Sequence, residues 1–260
     1  MKIVCLSENL TYRPSLRAEH GLSLYLETSS HRILFDMGQS DAFAANAAVL
    51  GIDLGKVDLA ILSHGHYDHG GGLGCFLSLN DHAPVYLTPT ATEPHYGGGG
   101  ARYNGLTPSL CSHPRLIRVE GERTALAPGL TLHSGAFLPD RFGFSGEGLM
   151  AMKDGIMVPD RFEHEQYLLV EEAGRRILIS GCSHRGITNL VAHFAPDVLI
   201  GGFHFMKRPV DEALLASGRA LGAQNVEYYT CHCTGIDRYA ALKTVMPRLH
   251  YLACGDAVTV

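Results

Sequence analysis

Residues 63–73 read SHGHYDHGGGL, directly after the apolar run VDLAIL at 57–62. His64, His66, Asp68 and His69 place four donor side chains within six positions, an HxHxDH cluster. Imidazole and carboxylate ligate zinc and related divalent ions, and a tight turn lets alternating side chains converge on one centre while the next pair faces a second. Gly65 and the glycines at 70–72 leave such a turn room. A helix beginning near Asp68 adds the positive end of its dipole beside the cluster. One histidine in a polar loop is usually a satisfied, ordinary residue; four donors crowded behind a buried strand point to metal.

Outward from this stretch, the pattern predicts strands over 2–6, 22–27, 32–36, 57–62 and 83–88, and one near 130–134. Between them, Ser40 is placed to cap a helix with Phe43, Ala44, Ala47, Ala48 and Leu50 on its apolar face and Gly51 as its stop. Residues 166–171 and 175–180 read as a hairpin. Strand and helix then alternate: helices over 186–195, 211–221 and 236–246, strands over 197–202, 225–230 and 249–253. That alternation means an α/β layered fold in one domain, since no repeat or linker divides the chain. Residues 89–128, with GGGG at 97–100, read as a Gly- and Pro-rich insert of the kind that forms a lid, and 137–163 as a second irregular segment.

The composition agrees with a soluble enzyme-sized domain. The 260 residues are 46% apolar and 18% charged, enough for a large core, and 21 Lys+Arg against 26 Asp+Glu give a net charge of -5. With no basic run, nucleic acid and an anionic membrane surface are poor partners, whereas local Arg and Lys leave small anionic substrates open. The N-terminal MKIVCLSENL reaches Ser7 and Glu8 before any apolar stretch of signal-peptide length, and no window approaches the ~20 apolar residues of a membrane span, so a cytoplasmic location is expected. Seven unevenly spread cysteines read as reduced thiols.

Histidine, at 15 residues, outnumbers both Phe and Tyr, and its placement is informative. Apolar strands end repeatedly in polar clusters: LAIL in SHGHYDH, ILIS in GCSH, VLI in GGFH, VEYY in TCHCTG, YLA in CGD. Layered α/β folds build their sites beyond the carboxyl ends of strands, so His184, His204 and His232 can meet the first cluster.

SHGHYDHGGGL resembles the second motif of the metallo-β-lactamase fold superfamily, and the strand-end Asp36 in LFDMGQS resembles its first. More narrowly, SENL, EHGLSLYLE, LFDMGQS, SHGHYDHGGGL, EQYLLV, ISGCSHRGITNL, GGFHF and HCTG resemble, in order, the 7,8-dihydropterin-6-yl-methyl-4-(β-D-ribofuranosyl)aminobenzene 5'-phosphate synthase branch. The resemblance implies an αββα sandwich over 1–260 and two divalent ions, with zinc first and manganese or iron as alternatives. It implies His64 and His66 on one ion, Asp68 and His69 on the other, and His184 and His232 as later ligands. Cys182 stands where a bridging Asp is expected, and either His164 or Glu165 lies near an earlier His position. His204 is a ligand or an orienter of one.

Asp68 and His184 are the candidates for acting on the reacting groups. Arg185, Lys207 and Arg208 are candidates for holding an anionic substrate, with Arg141 and Arg161 behind them. Glu8 and Asn9 follow the first strand and either support a ligand or form a solvated turn, and Asp256 lies in the last polar cluster. His95 and His113 fall in the insert, within reach of substrate if it is a lid. His20, His31, His82, His133, His193 and His250 read as incidental.

Two adjacent divalent ions suit hydrolysis of an ester, lactone or phosphoester, and equally a transfer that releases pyrophosphate. The branch resemblance implies the transfer: an arylamine nitrogen displaces pyrophosphate from a dihydropterin-methyl diphosphate. The alternatives are a metallo-hydrolase on a phosphoester or lactone, and a non-catalytic metal- or ligand-binding sensor on the same scaffold.

Overall fold

The computed structural model describes residues 1–260. Two seven-stranded mixed sheets stack face to face. In spatial order the first contains Ala257–Thr259, Lys2–Ser7, Ser23–Glu27, Arg32–Phe35, Leu59–Ile61, Val85–Leu87 and Leu116–Arg118. The second contains Leu249–Tyr251, Glu227–Thr230, Val198–Ile200, Arg175–Ile179, Gln166–Glu172, Leu130–Ser134 and Arg123–Ala127. In the first sheet the strands from Arg32–Phe35 to Leu116–Arg118 run parallel. In the second the parallel run goes from Arg175–Ile179 to Leu249–Tyr251.

Both faces of each sheet are covered, and strand periodicity shows how. Ile3, Ile33 and Phe35 point inward to meet Leu168, Ile177, Ile179, Val198 and Ile200 of the other sheet. Their alternating neighbours Val4, Leu6 and Leu34 point outward onto Phe43, Ala47, Leu73 and Phe76 of helices Ala42–Val49 and Leu73–Leu79. Likewise Leu178, Leu199 and Tyr228 pack on Leu190, Leu214 and Leu242 of helices Ile187–Phe194, Glu212–Gly222 and Ile236–Lys243. A side-chain period of two, apolar on both faces, yields four layers, an αββα sandwich. Each fully buried aliphatic or aromatic side chain contributes about 1.5–3 kcal/mol. No helix is long and apolar enough to cross a membrane.

Several sequence expectations are corrected. Residues 89–128 hold four short strands, two of which, Leu116–Arg118 and Arg123–Ala127, are edges of the main sheets. The other two, His95–Gly97 and Arg102–Tyr103, join Met150–Lys153 and Ile156–Pro159 of the second irregular segment in a small four-stranded sheet. Strands this short carry no readable periodicity. The first long helix is capped at Asp41, without a side-chain bond from that residue; Ser40 still accepts from the Ala42 N–H at 3.1 Å.

Candidate metal centre

The site lies at one end of the sandwich, where strands of both sheets release their chains into tight turns. Non-glycine residues adopt left-handed backbone at Asp36 (φ 60°), Ser183 (57°), His204 (53°) and His232 (48°). Such conformations cost roughly 1–2 kcal/mol each and collect where the surroundings dictate side-chain direction. Two glycines are required by close approach. A Cβ on Gly65 would lie 2.2 Å from the Ala91 carbonyl oxygen, and one on Gly181 would lie 2.2 Å from Ser63 Oγ.

His64, His66 and His184 are all buried, and their donor atoms lie within 4.8 Å of one another. Nε2 of His64, Nε2 of His66 and both ring nitrogens of His184 have no hydrogen-bond partner. An unpaired buried polar atom costs about 1–3 kcal/mol, so three converging imidazoles, each with one free nitrogen lone pair, are the arrangement of donors awaiting a cation. Burial first, and then the neighbouring imidazoles, hold these three histidines well below their ordinary pKa. They are neutral near pH 7, as ligation requires.

Asp68 and His69 turn to the adjoining side. Asp68 Oδ2 lies 3.4 Å from His232 Nε2 and 3.2 Å from His20 Nε2. His69 Nε2 lies 3.1 Å from Cys182 Sγ. Burial pushes the Asp68 carboxyl up, but the facing imidazoles of His20 and His232 outweigh it and bring the carboxyl well below the usual range. Burial also pulls His232 down to about 4 and drives the Cys182 thiol well up, with Cys233 adding to the thiol's shift. His232 Nε2 is unpartnered, which gives this second set the same signature as the first. The donor atoms on this side fall into two adjoining groups, His20, Asp68 and His232, and His64, His69 and Cys182, whose carboxylate, imidazoles and thiol suit zinc and other borderline divalent ions.

A layer of hydrogen bonds fixes which ring nitrogen each histidine presents. Asp36 Oδ2 accepts from His69 Nδ1 at 2.7 Å and from Ser63 Oγ at 2.7 Å; Ser63 Oγ in turn accepts from His64 Nδ1 at 2.8 Å. Asn9 Oδ1 accepts from His232 Nδ1 at 2.8 Å, while Glu8 accepts from the His232 N–H at 2.6 Å and from Tyr251 Oη at 2.8 Å. Glu8 and Asn9 thus hold His232 by its backbone and its ring.

His164 and Glu165 take supporting positions. His164 Nδ1 accepts from the Gly65 N–H at 2.9 Å, so Nε2 carries the proton and donates to Asp160 Oδ2 at 3.0 Å. Protonated there, Nε2 has no lone pair for a metal, and the residue braces the HxH turn. Glu165 accepts from the N–H groups of His184 and Arg185 at 2.8 and 3.0 Å and from Tyr167 Oη at 2.5 Å. His204 stands beside His184, ring centroids 4.1 Å apart, outside both donor sets. His95, in the small sheet, lies 3.1 Å from Asp160 Oδ2 and 3.2 Å from the Thr90 carbonyl oxygen, both just outside that sheet. Asp256 accepts from the Ala253 N–H, a turn contact.

The basic candidates divide. Arg185 is buried: its guanidinium donates to the carbonyls of Leu138 and Arg161 and stacks on Phe144 at 4.6 Å. The chain folds back over it and engages these donors. Lys207 lines the cavity above the metal donors, about 140 Å³ in volume, with Arg102, Tyr67 and Glu147. Arg208 faces a neighbouring chamber. Sequence reasoning missed His20, whose only signal was its place in EHGLSLYLE, and Arg102, hidden in the insert.

Four-layer fold and paired donor sets together define a metal-dependent enzyme scaffold. The chain belongs to the metallo-beta-lactamase superfamily, whose family model matches residues 16–229. Among its relatives, the 7,8-dihydropterin-6-methyl-4-(beta-D-ribofuranosyl)-aminobenzene-5'-phosphate synthase of Methanocaldococcus jannaschii is 29% identical, over 90% of this chain and 88% of that one. The crystal structure of Tm1679, a metal-dependent hydrolase of the beta-lactamase superfamily, superposes with a TM-score of 0.86 at 30% identity, covering 100% of this chain and 99% of that one. YhfI from Bacillus subtilis, at 15% identity and a TM-score of 0.61 over 99% of this chain and 98% of that one, shares the fold.

Proposed function

We propose that this protein is a metal-dependent synthase that joins an arylamine to a dihydropterin-methyl group with release of pyrophosphate. Two divalent ions, zinc by preference, would be held by His64, His66 and His184 on one side and by Asp68, His69 and His232 on the other, with Cys182 at the junction. The observation that carries the reading is the convergence of unpartnered, buried nitrogens of His64, His66 and His184, beside the unpartnered Nε2 of His232 and the Asp68 carboxylate, below one small cavity. The likeness to the archaeal synthase over most of both chains supports the choice of reaction.

Bound there, the ions supply Lewis acidity for a departing diphosphate. The bond that forms joins the arylamine nitrogen to the methylene carbon; the bond that breaks joins that carbon to the diphosphate oxygen, and the nitrogen loses a proton. Lys207 and Arg102, on the cavity wall, are placed to hold phosphate oxygens. Asp68, ionised and in contact with the imidazoles of His20 and His232, is placed to orient the amine and accept its proton. Leu149 and Met206 on the same wall exclude water.

A metallo-hydrolase acting on a phosphoester or lactone is the second reading, favoured by the superposition on Tm1679. Metal-loaded protein is expected to release pyrophosphate only when both the dihydropterin-methyl diphosphate and the arylamine phosphate are present. Cleavage of the diphosphate at the same rate without the amine overturns the synthase reading in favour of a hydrolase.

A further inference from the structure

Beside the metal cavity lies a second chamber of about 400 Å³, and Glu147, His184 and His204 line both. Phe142, Phe144, Phe203 and Phe205 form its apolar walls, with Arg208 among them. Arg208 lies with its guanidinium 4.6 Å over the Phe205 ring and reaches Ser217 Oγ at 3.4 Å. Neighbouring Lys207 is the one that faces Glu147, at 3.9 Å.

The outer lip of the chamber is held in place. Buried Asn189 accepts from the N–H groups of Arg141 and Phe142 through Oδ1, both at 3.0 Å, and donates to the Gly143 carbonyl at 3.4 Å. The backbone at Phe142 is therefore held at the rim while its side chain is 61% exposed. An exposed rim ring on an anchored backbone, further aromatic walls and a guanidinium stacked on one of them favour one chemistry. A planar ring gains from stacking and edge contacts, and an anionic substituent gains from the guanidinium.

We propose that this chamber binds a planar aromatic or heteroaromatic group bearing an anionic substituent, with the anion at Arg208 and the reacting end extending past His184 and His204 into the metal cavity. The inference deepens the synthase reading by dividing the substrate between two compartments, and it rests on that reading only for the direction in which the reacting end points.

The test is direct binding to metal-loaded protein of 1-naphthalenesulfonate, a fluorescent aryl anion whose sulfonate coordinates divalent ions poorly, in competition with cyclohexanesulfonate. Saturable binding is expected, with the cyclohexyl analogue roughly tenfold or more weaker. Phe144→Leu and Arg208→Gln are each expected to weaken the aryl probe by about tenfold, with far-ultraviolet circular dichroism unchanged. Equal competition by the cyclohexyl compound, or binding insensitive to both substitutions, overturns the proposal. Binding needs no turnover, so a failed synthase assay leaves the chamber standing, and a silent chamber leaves the synthase reading standing.

Discussion

His69 Nδ1 lies 2.7 Å from Asp36 Oδ2, and both side chains are fully buried. The same oxygen also takes the Ser63 hydroxyl, which passes the bond to His64. One carboxylate therefore fixes the tautomer of an imidazole in each donor set. Asp36 holds its left-handed backbone at φ 60°, a conformation that Asn tolerates better than most residues.

Asp36→Asn is accordingly expected to fold and to lose metal affinity at both sets together, by about 10- to 100-fold. Competition titration with a chromophoric chelator checks it. Loss confined to one ion contradicts the shared role.

His184 carries two unpartnered buried nitrogens and stacks on Phe162, ring centroids 4.3 Å apart and 7° from parallel. His184→Phe keeps the stack and removes the unpaired atoms. In chelator-treated protein it is expected to match or exceed the parent's stability, by up to about 3 kcal/mol. In metal-loaded protein the order reverses. Urea unfolding with and without chelator measures both arms.

Acid should unfold the metal-free protein early. Burial lowers His164 and His232 to about 4, against an unfolded value of about 6.5. Between these values the unfolded chain binds more protons, so stability rises with pH across the window. It falls by about 1.4 kcal/mol per pH unit for each such imidazole as pH drops from about 6.5 to 4. Asp160, whose burial is outweighed by His164 and His95 so that its carboxyl stays low, contributes stability that is lost only below this window. Unfolding free energies at pH 7, 5.5 and 4.5 test the slope; a flat profile counts against neutral buried imidazoles.

Arg185 and Lys207 should behave oppositely. Arg185→Gln removes charged donors from two carbonyls and is expected to cost about 2–3 kcal/mol of stability. Lys207→Gln, at an exposed side chain on the cavity wall, should leave the melting temperature within a degree or two and raise KM for a phosphorylated substrate. Thermal denaturation and steady-state kinetics on both variants separate the roles.

The layered fold was legible because strands such as Lys2–Ser7 and Arg175–Ile179 carry continuous apolar cores, Ile3–Leu6 and Ile177–Ile179, that are buried on both faces, a local signal. The HxHxDH cluster was legible because its donors are neighbours in sequence. His164 and Glu165 stayed ambiguous because their roles depend on Gly65 and His184, which reach them only through tertiary packing. The surroundings of Arg185 were hidden for the same reason: a basic residue at a helix start shows nothing in sequence of the chain at Leu138 and Arg161 that closes over it. The small sheet escaped because strands of two to four residues show no period.

The donor sets straddle the seam between the two sheets: His64, His66, Asp68 and His69 leave the first, and His184 and His232 leave the second. Neither set is complete until the sheets have docked, so high-affinity capture of an ion belongs to the last stage of folding. An ion once captured clasps the sandwich at that end, joining chain segments that lie far apart in sequence. Chelation should then loosen the inter-sheet seam and speed its opening to solvent, so that the metal centre governs the lifetime of the folded state as well as its chemistry.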